Sequence, residues 1–315
     1  MSEVVVATGY GGPEVLSVID VPTGEPKPGE VRIAVRAAGV NPIDYKLYSG
    51  AFGADPGNLP IRLGLEAAGV VTAVGPDATG PAGPIAPGDE VIVYRAPGAY
   101  AADLVVPASS VVPKPVTMSW EQAGGLLAVG GTAMHTLEAV GLRGGETVLI
   151  HGAAGGVGLM AVQLAVGRGA TVVGTASPGK HDLLRALGAI PVAYGPGLAE
   201  RVRDAAPQGV DAAVDAVGTD EAVDVSADLV KDTLRITTIA AFERGANAGI
   251  KLLGGGPGAD PGEAIRNGAR LQLTEAFSAG RLSVIVANTY SLREAAAAHR
   301  EIMTGHTTGK IVLLP

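Results

Sequence analysis

The stretch Thr147-Val148-Leu149-Ile150-His151-Gly152-Ala153-Ala154-Gly155-Gly156-Val157-Gly158-Leu159-Met160-Ala161-Val162-Gln163-Leu164 constrains this chain more than any other. A strand-like run, Thr147–Ile150, ends in a glycine-rich turn, after which Val157, Ala161 and Leu164 recur at i, i+4 and i+7, the apolar stripe of a helix laid on a sheet. Gly152, Gly155 and Gly158 are evenly spaced. A dinucleotide pyrophosphate needs backbone N–H groups at a helix N-terminus and no side chain in the way, which small residues here provide. Spacing alone says little in a chain with 47 glycines. Context says more, because a second strand-like run, Ala170–Thr175, follows at the spacing of a βαβ unit of about 30 residues. A dinucleotide-binding turn is therefore expected.

Around this unit, strand-like and helical runs alternate from about residue 120 to 240: a helix from Gly156, another over His181–Leu187, and strands at Val210–Val214 and Arg235–Ile239. Alternation of this kind implies a parallel sheet with crossover helices. Ser119-Trp120-Glu121-Gln122 fits a capping box and predicts a helix start. The residues before it read differently. Short apolar runs at Val31–Val35, Gly69–Val74 and Glu90–Val93 are separated by Gly and Pro signals, the texture of a β-rich domain, and Asp77–Pro87 reads as a surface loop. The tail predicts a helix around Leu292–Met303 and a last strand, Lys310–Leu314. With 315 residues, two domains are the expectation, bounded at 1-119 and 120-283, with the tail 284-315 unassigned by pattern alone.

Composition narrows the function. Net charge is −8 with no basic cluster, so nucleic acid and anionic lipid are unexpected partners. No apolar run approaches the roughly 20 residues of a membrane span, and the acidic start lacks the basic flank of a secretory signal, so a cytoplasmic location is expected. The chain has no cysteine, which excludes disulfides, thiolate nucleophiles and Cys-ligated zinc. His135, His151, His181, His299 and His306 are scattered without ligand spacing, and no metal is assigned.

The end of the second strand bears on which dinucleotide binds. NAD sites usually place Asp or Glu about 20 residues after the glycines to hold the ribose hydroxyls. Here the strand runs into Thr175-Ala176-Ser177-Pro178-Gly179-Lys180, a hydroxyl and an ammonium with no carboxylate. Ser177 and Lys180 suit a 2′-phosphate, so NADP(H) is the expected cofactor, against the alternative that Lys180 only decorates a helix start.

With these residues in hand, the chain resembles the zinc-independent, NADP-dependent quinone oxidoreductase family of the medium-chain dehydrogenase/reductase superfamily. The likeness rests on Gly39-Val40-Asn41-Pro42-Ile43-Asp44, Gly64-Leu65-Glu66-Ala67-Ala68-Gly69-Val70-Val71, Gly88-Asp89-Glu90-Val91, Gly98-Ala99-Tyr100-Ala101, the Ala153–Gly158 turn, Asp211–Gly218 and Gly309-Lys310-Ile311-Val312. It implies an α/β fold in which a GroES-like β-rich catalytic domain, 1-119 completed by 284-315, is interrupted by a Rossmann doubly wound parallel-sheet domain, 120-283, with the active site in a cleft. Zinc-dependent relatives carry Cys where Asn41 stands and Gly-His-Glu at Gly64-Leu65-Glu66, so both ligand positions are lost. By position, the resemblance places Thr132 and Ala133 toward the nicotinamide and Gly155, Gly156 and Val157 on the pyrophosphate. It places Ser177, Lys180 and Tyr194 around the 2′-phosphate, and Val217 with Gly218, and Ile239 with Ala240, near the riboses. Arg244–Gly262 looks like a loop closing over cofactor and substrate, or else a plain surface loop.

The implied activity is hydride transfer from NADPH to a small hydrophobic quinone or enone. The runner-up within enzymes is a 2-enal, enone or enoyl-thioester double-bond reductase; outside them, an NADP-binding scaffold or redox sensor. Without a metal, an organic donor must polarise the acceptor oxygen. Asn41 is the first choice, with a structural Asn-Pro turn as the alternative; Tyr45 is a candidate proton donor that could equally line the substrate pocket. A homodimer is expected by resemblance only.

Overall fold

The apolar runs of the first third of the chain become strands of one sheet. In the computed structural model, which describes residues 1–315, contacts divide the chain into two compact units, Met1–Ala128 with Arg270–Gly280 and Val284–Pro315, and Val129–Ala269 with Arg281–Ser283.

In the first unit the seven-stranded sheet runs Val111–Pro113, Glu90–Tyr94, Glu66–Val74, Glu30–Val40, Lys310–Leu314, Val286–Ser291, with Asp103–Pro107 also paired to Glu30–Val40. The last strand of the chain is thus an inner strand. It lies antiparallel to Glu30–Val40 with Ile311 opposite Val40 and Leu313 opposite Ala38, which brings Lys310 beside Asn41. Alternate side chains, Val31, Ile33, Val35, Leu104, Val106, Ile311 and Leu313, point into one core with Leu63, Tyr48 and Tyr100. Each fully buried Val, Leu or Ile there contributes about 1.5–3 kcal/mol over its exposed state. The Ser119 capping box forms as the sequence predicts, Gln122 N–H donating to Ser119 Oγ at 3.3 Å and Ser119 N–H to Gln122 Oε1 at 3.2 Å, and opens the helix Trp120–Gly124. Asp77–Pro87 is not wholly irregular: Thr79–Gly80 and Gly83–Pro84 form a two-residue hairpin, Thr79 opposite Pro84.

The second unit is a six-stranded parallel sheet in the order Ile190–Val192, Thr171–Thr175, Thr147–His151, Ala212–Asp215, Ile236–Thr238, Lys251–Leu252. The run 212–215 and the run 236–238 are buried throughout, as strands covered on both faces must be. Growth begins at the central strand Thr147–His151, proceeds to one side and then returns to the other, so the carboxyl end of that strand is the switch point at which such sheets bind ligands. Arg244–Gly262 is loop from residue 253 onward, as expected, but not before it. Its start lies in the helix Phe242–Asn247, and Lys251–Leu252 is the sixth strand, paired with Thr237 and Thr238. No helix is long and apolar enough to cross a membrane.

Candidate active site

The glycine-rich turn folds as its sequence requires. Gly152 takes a φ of 68°, a left-handed conformation that costs a side chain roughly 1–2 kcal/mol. A Cβ on Gly158 would stand 2.2 Å from Gly152 O and 2.6 Å from Ala153 Cα, so only glycine lets the helix Gly156–Gly167 descend onto the turn. Thr175 holds the turn from the neighbouring strand, its Oγ1 accepting from Gly152 N–H at 3.2 Å and its carbonyl from Ala153 N–H at 3.0 Å. The helix is capped by Gly155 with no side chain, leaving first-turn amides to an incoming anion.

The other expected cofactor residues gather along the same edge. Gly155–Val157 follow Thr147–His151, Ser177 and Lys180 follow Thr171–Thr175, Tyr194 follows Ile190–Val192, Val217 follows Ala212–Asp215, and Ile239 and Ala240 follow Ile236–Thr238. Five adjacent parallel strands thus present them at their carboxyl ends. Tyr194 is 54% and Val217 48% exposed. Thr132 comes instead from the helix Leu127–Ala139, where Arg266 Nη1 donates to its Oγ1 at 3.0 Å.

Two residues that shape this edge escaped the sequence reading. Asp215, fully buried, accepts from Val217 N–H at 2.9 Å and Gly218 N–H at 2.8 Å through Oδ1, and from Thr238 Oγ1–H at 2.7 Å through Oδ2. Thr238 Oγ1 in turn accepts from Ala240 N–H at 3.1 Å and Ala241 N–H at 2.9 Å. One carboxylate and one hydroxyl therefore fix two neighbouring strand-end loops. The available signal was an Asp closing an apolar run, followed at once by small residues. His151 also lies under the turn; burial pushes its imidazole down to about 4, and Ser226 Oγ stands 3.1 Å from Nε2.

In the first unit, Asn41 follows the strand Glu30–Val40 and precedes the helix Pro42–Tyr48. Lys310 Nζ donates to Asn41 Oδ1 at 2.7 Å, Val40 O at 2.9 Å and Glu66 Oε1 at 3.0 Å, which uses all three ammonium hydrogens. An ammonium only donates, so the amide oxygen faces it and Nδ2 faces the other way, donating to Glu66 Oε1 at 3.1 Å and Gly39 O at 3.2 Å. Both amide hydrogens are thereby engaged. Glu66 Oε2 accepts from Ala128 N–H at 2.8 Å, and the Lys310 and Glu66 side chains are 3% and 0% exposed, a buried ion pair whose polar atoms are all satisfied. No group of three or more His, Cys, Asp or Glu is placed to hold a metal. Tyr45 lies one helical turn after Asn41, half-buried against the core.

Behind Asn41 lies a second buried network. Asp44 Oδ2 accepts from Asn41 N–H and from Tyr100 Oη–H, both at 2.8 Å; Tyr100 Oη is 3.2 Å from His299 Nε2, and Tyr48 Oη is 2.7 Å from His299 Nδ1. Burial pushes the Asp44 carboxyl up to about 6, against the opposing hydrogen bond from Tyr100, and pushes His299 down to about 4.

Residues 27–116 match the alcohol dehydrogenase GroES-like domain and residues 187–313 the zinc-binding dehydrogenase family. A quinone oxidoreductase of Pseudomonas aeruginosa is 36% identical over 325 residues, covering 97% of this chain and 97% of its own length. The chain belongs to the quinone oxidoreductase family of the medium-chain dehydrogenase/reductases. It is an oxidoreductase with the α/β, GroES-like plus Rossmann fold of that family. The spectinabilin polyketide synthase protein NorB of Streptomyces orinoci is 38% identical over 91% of this chain, which spans only 13% of that much longer protein. The quinone oxidoreductase of Escherichia coli, solved with NADPH, superposes with a TM-score of 0.85 at 27% identity, covering 99% of this chain and 100% of that one. The glycine turn, its uncapped amides and the two fixed strand-end loops fit a nicotinamide dinucleotide.

Proposed function

We propose that the chain is an NADPH-dependent reductase that passes a hydride to a small hydrophobic quinone or conjugated carbonyl acceptor. The observation that carries this reading is the acid-free end of the strand Thr171–Thr175, where Ser177 and Lys180 replace the carboxylate that would hold a free ribose hydroxyl and repel a 2′-phosphate. Tyr194, at the next strand end, completes that side, and the Escherichia coli relative solved with NADPH supports the same choice.

When bound, the cofactor supplies the hydride and the protein supplies orientation and electrostatics. Gly155, Gly156 and Val157 hold the pyrophosphate with backbone amides, Val217, Ile239 and Ala240 flank the riboses, and Thr132 faces the nicotinamide. Reduction also needs a proton and a donor for the developing negative charge on oxygen. Asn41 serves as that donor by exchanging its 3.2 Å bond to Gly39 O for the acceptor oxygen, while Lys310 keeps the amide from flipping. Tyr45 delivers the proton.

The test follows loss of reduced cofactor against quinones, 2-alkenals, cyclic enones and crotonyl thioesters, with NADPH and NADH in parallel. Turnover with NADPH and a quinone or enone is expected. Turnover with NADH alone, or with thioesters alone, overturns the assignment.

A further inference from the structure

Arg201, on the helix Leu198–Ala205, spends its guanidinium on three carbonyls within four consecutive residues: Nε donates to Ala193 O at 2.9 Å, Nη2 to Gly195 O at 2.8 Å and Nη1 to Pro196 O at 2.8 Å. From the opposite side, Gly195 N–H donates to Glu221 Oε2 at 2.9 Å. Glu221 stands in the first turn of the helix Asp220–Leu229, directly after the Val217-Gly218 turn that Asp215 fixes. The loop bearing Tyr194 is thus pinned at both faces while Tyr194 itself remains more than half exposed.

A planar fork matched to three carbonyls is a geometric device that lysine cannot reproduce. A short loop with glycine on both sides of Pro196 would otherwise sample many conformations and lose entropy on ordering around a ligand.

We propose that Arg201 is the positioning residue that sets the preference for a 2′-phosphorylated nucleotide, by holding the Tyr194 loop in its binding conformation. This rests on the NADPH reading above. Arg201 acts through Tyr194, so the two should not contribute independently.

Isothermal titration of 2′,5′-ADP and 5′-AMP, and of NADPH and NADH, against wild type, Arg201→Met, Arg201→Lys, Tyr194→Ala and the Arg201→Met/Tyr194→Ala double variant tests this. Wild type is expected to prefer the 2′-phosphorylated ligand. Arg201→Met should weaken that ligand about tenfold and 5′-AMP less than about twofold, Arg201→Lys should fall between, and the double variant should be no worse than the poorer single one. If Arg201→Met does not fold, the Arg201→Lys titration decides alone. A wild type that binds both classes equally overturns the cofactor reading and this inference with it. A wild-type preference that survives unchanged in the Arg201 variants, or additive losses in the double variant, overturns the inference and leaves the cofactor reading standing.

Discussion

Asp44 and His299 pull stability in opposite directions with pH. The folded-state carboxyl of Asp44, raised to about 6 from 3.8, holds its proton more tightly than in the unfolded chain, so its contribution is complete below 3.8 and is lost as pH rises through about 6. At about 1.4 kcal/mol per pH unit, that loss is on the order of 3 kcal/mol. His299, lowered to about 4 from 6.5, contributes stability above 6.5 that is lost as pH falls through 4. Asp44→Asn keeps an acceptor for Asn41 N–H and Tyr100 Oη–H and removes the titration. Its stability relative to wild type should therefore rise between about pH 4 and 7, by up to about 3 kcal/mol in urea unfolding. A difference that is flat with pH would mean that Asp44 ionises in the fold as readily as in the unfolded chain.

At the scale of elements, the turn between Thr147–His151 and Gly156–Gly167 carries the sharpest expectation. Gly158→Ala puts a methyl 2.2 Å from Gly152 O, which must lift the helix off the turn and misalign the first-turn amides. The variant should lose at least tenfold in nucleotide affinity by titration while its far-ultraviolet dichroism stays near wild type; unchanged affinity would remove the turn from the binding site. This turn was legible in the sequence because backbone geometry there admits little besides glycine. The hairpin at Thr79–Gly80 and Gly83–Pro84 and the strand Lys251–Leu252 were not, since two-residue strands paired through backbone atoms leave no alternation to read. The Asn41, Glu66 and Lys310 cluster was legible only as separate motifs: Lys310 and Glu66 stand 244 positions apart, and it is the antiparallel register of the last strand that joins them.

At the scale of the whole molecule, a chain of net charge −8 must bind a polyanion, so attraction has to be local. Lys180→Glu changes the net charge by two, from −8 to −10, a small change in a general field that salt screens and that weighs on both cofactors. A local effect is larger and confined to NADPH: the 2′-phosphate carries roughly two negative charges that NADH lacks, and within a Debye length of about 8 Å their interaction with position 180 is incompletely screened. The variant is therefore expected to raise the KM for NADPH at least tenfold and that for NADH less than about twofold, with kcat for both little changed because orientation at the nicotinamide end is set by other residues. Raising the salt concentration should narrow the gap between the two cofactors in wild type and leave less to narrow in the variant. Equal losses for NADPH and NADH would place the 2′-phosphate away from Lys180.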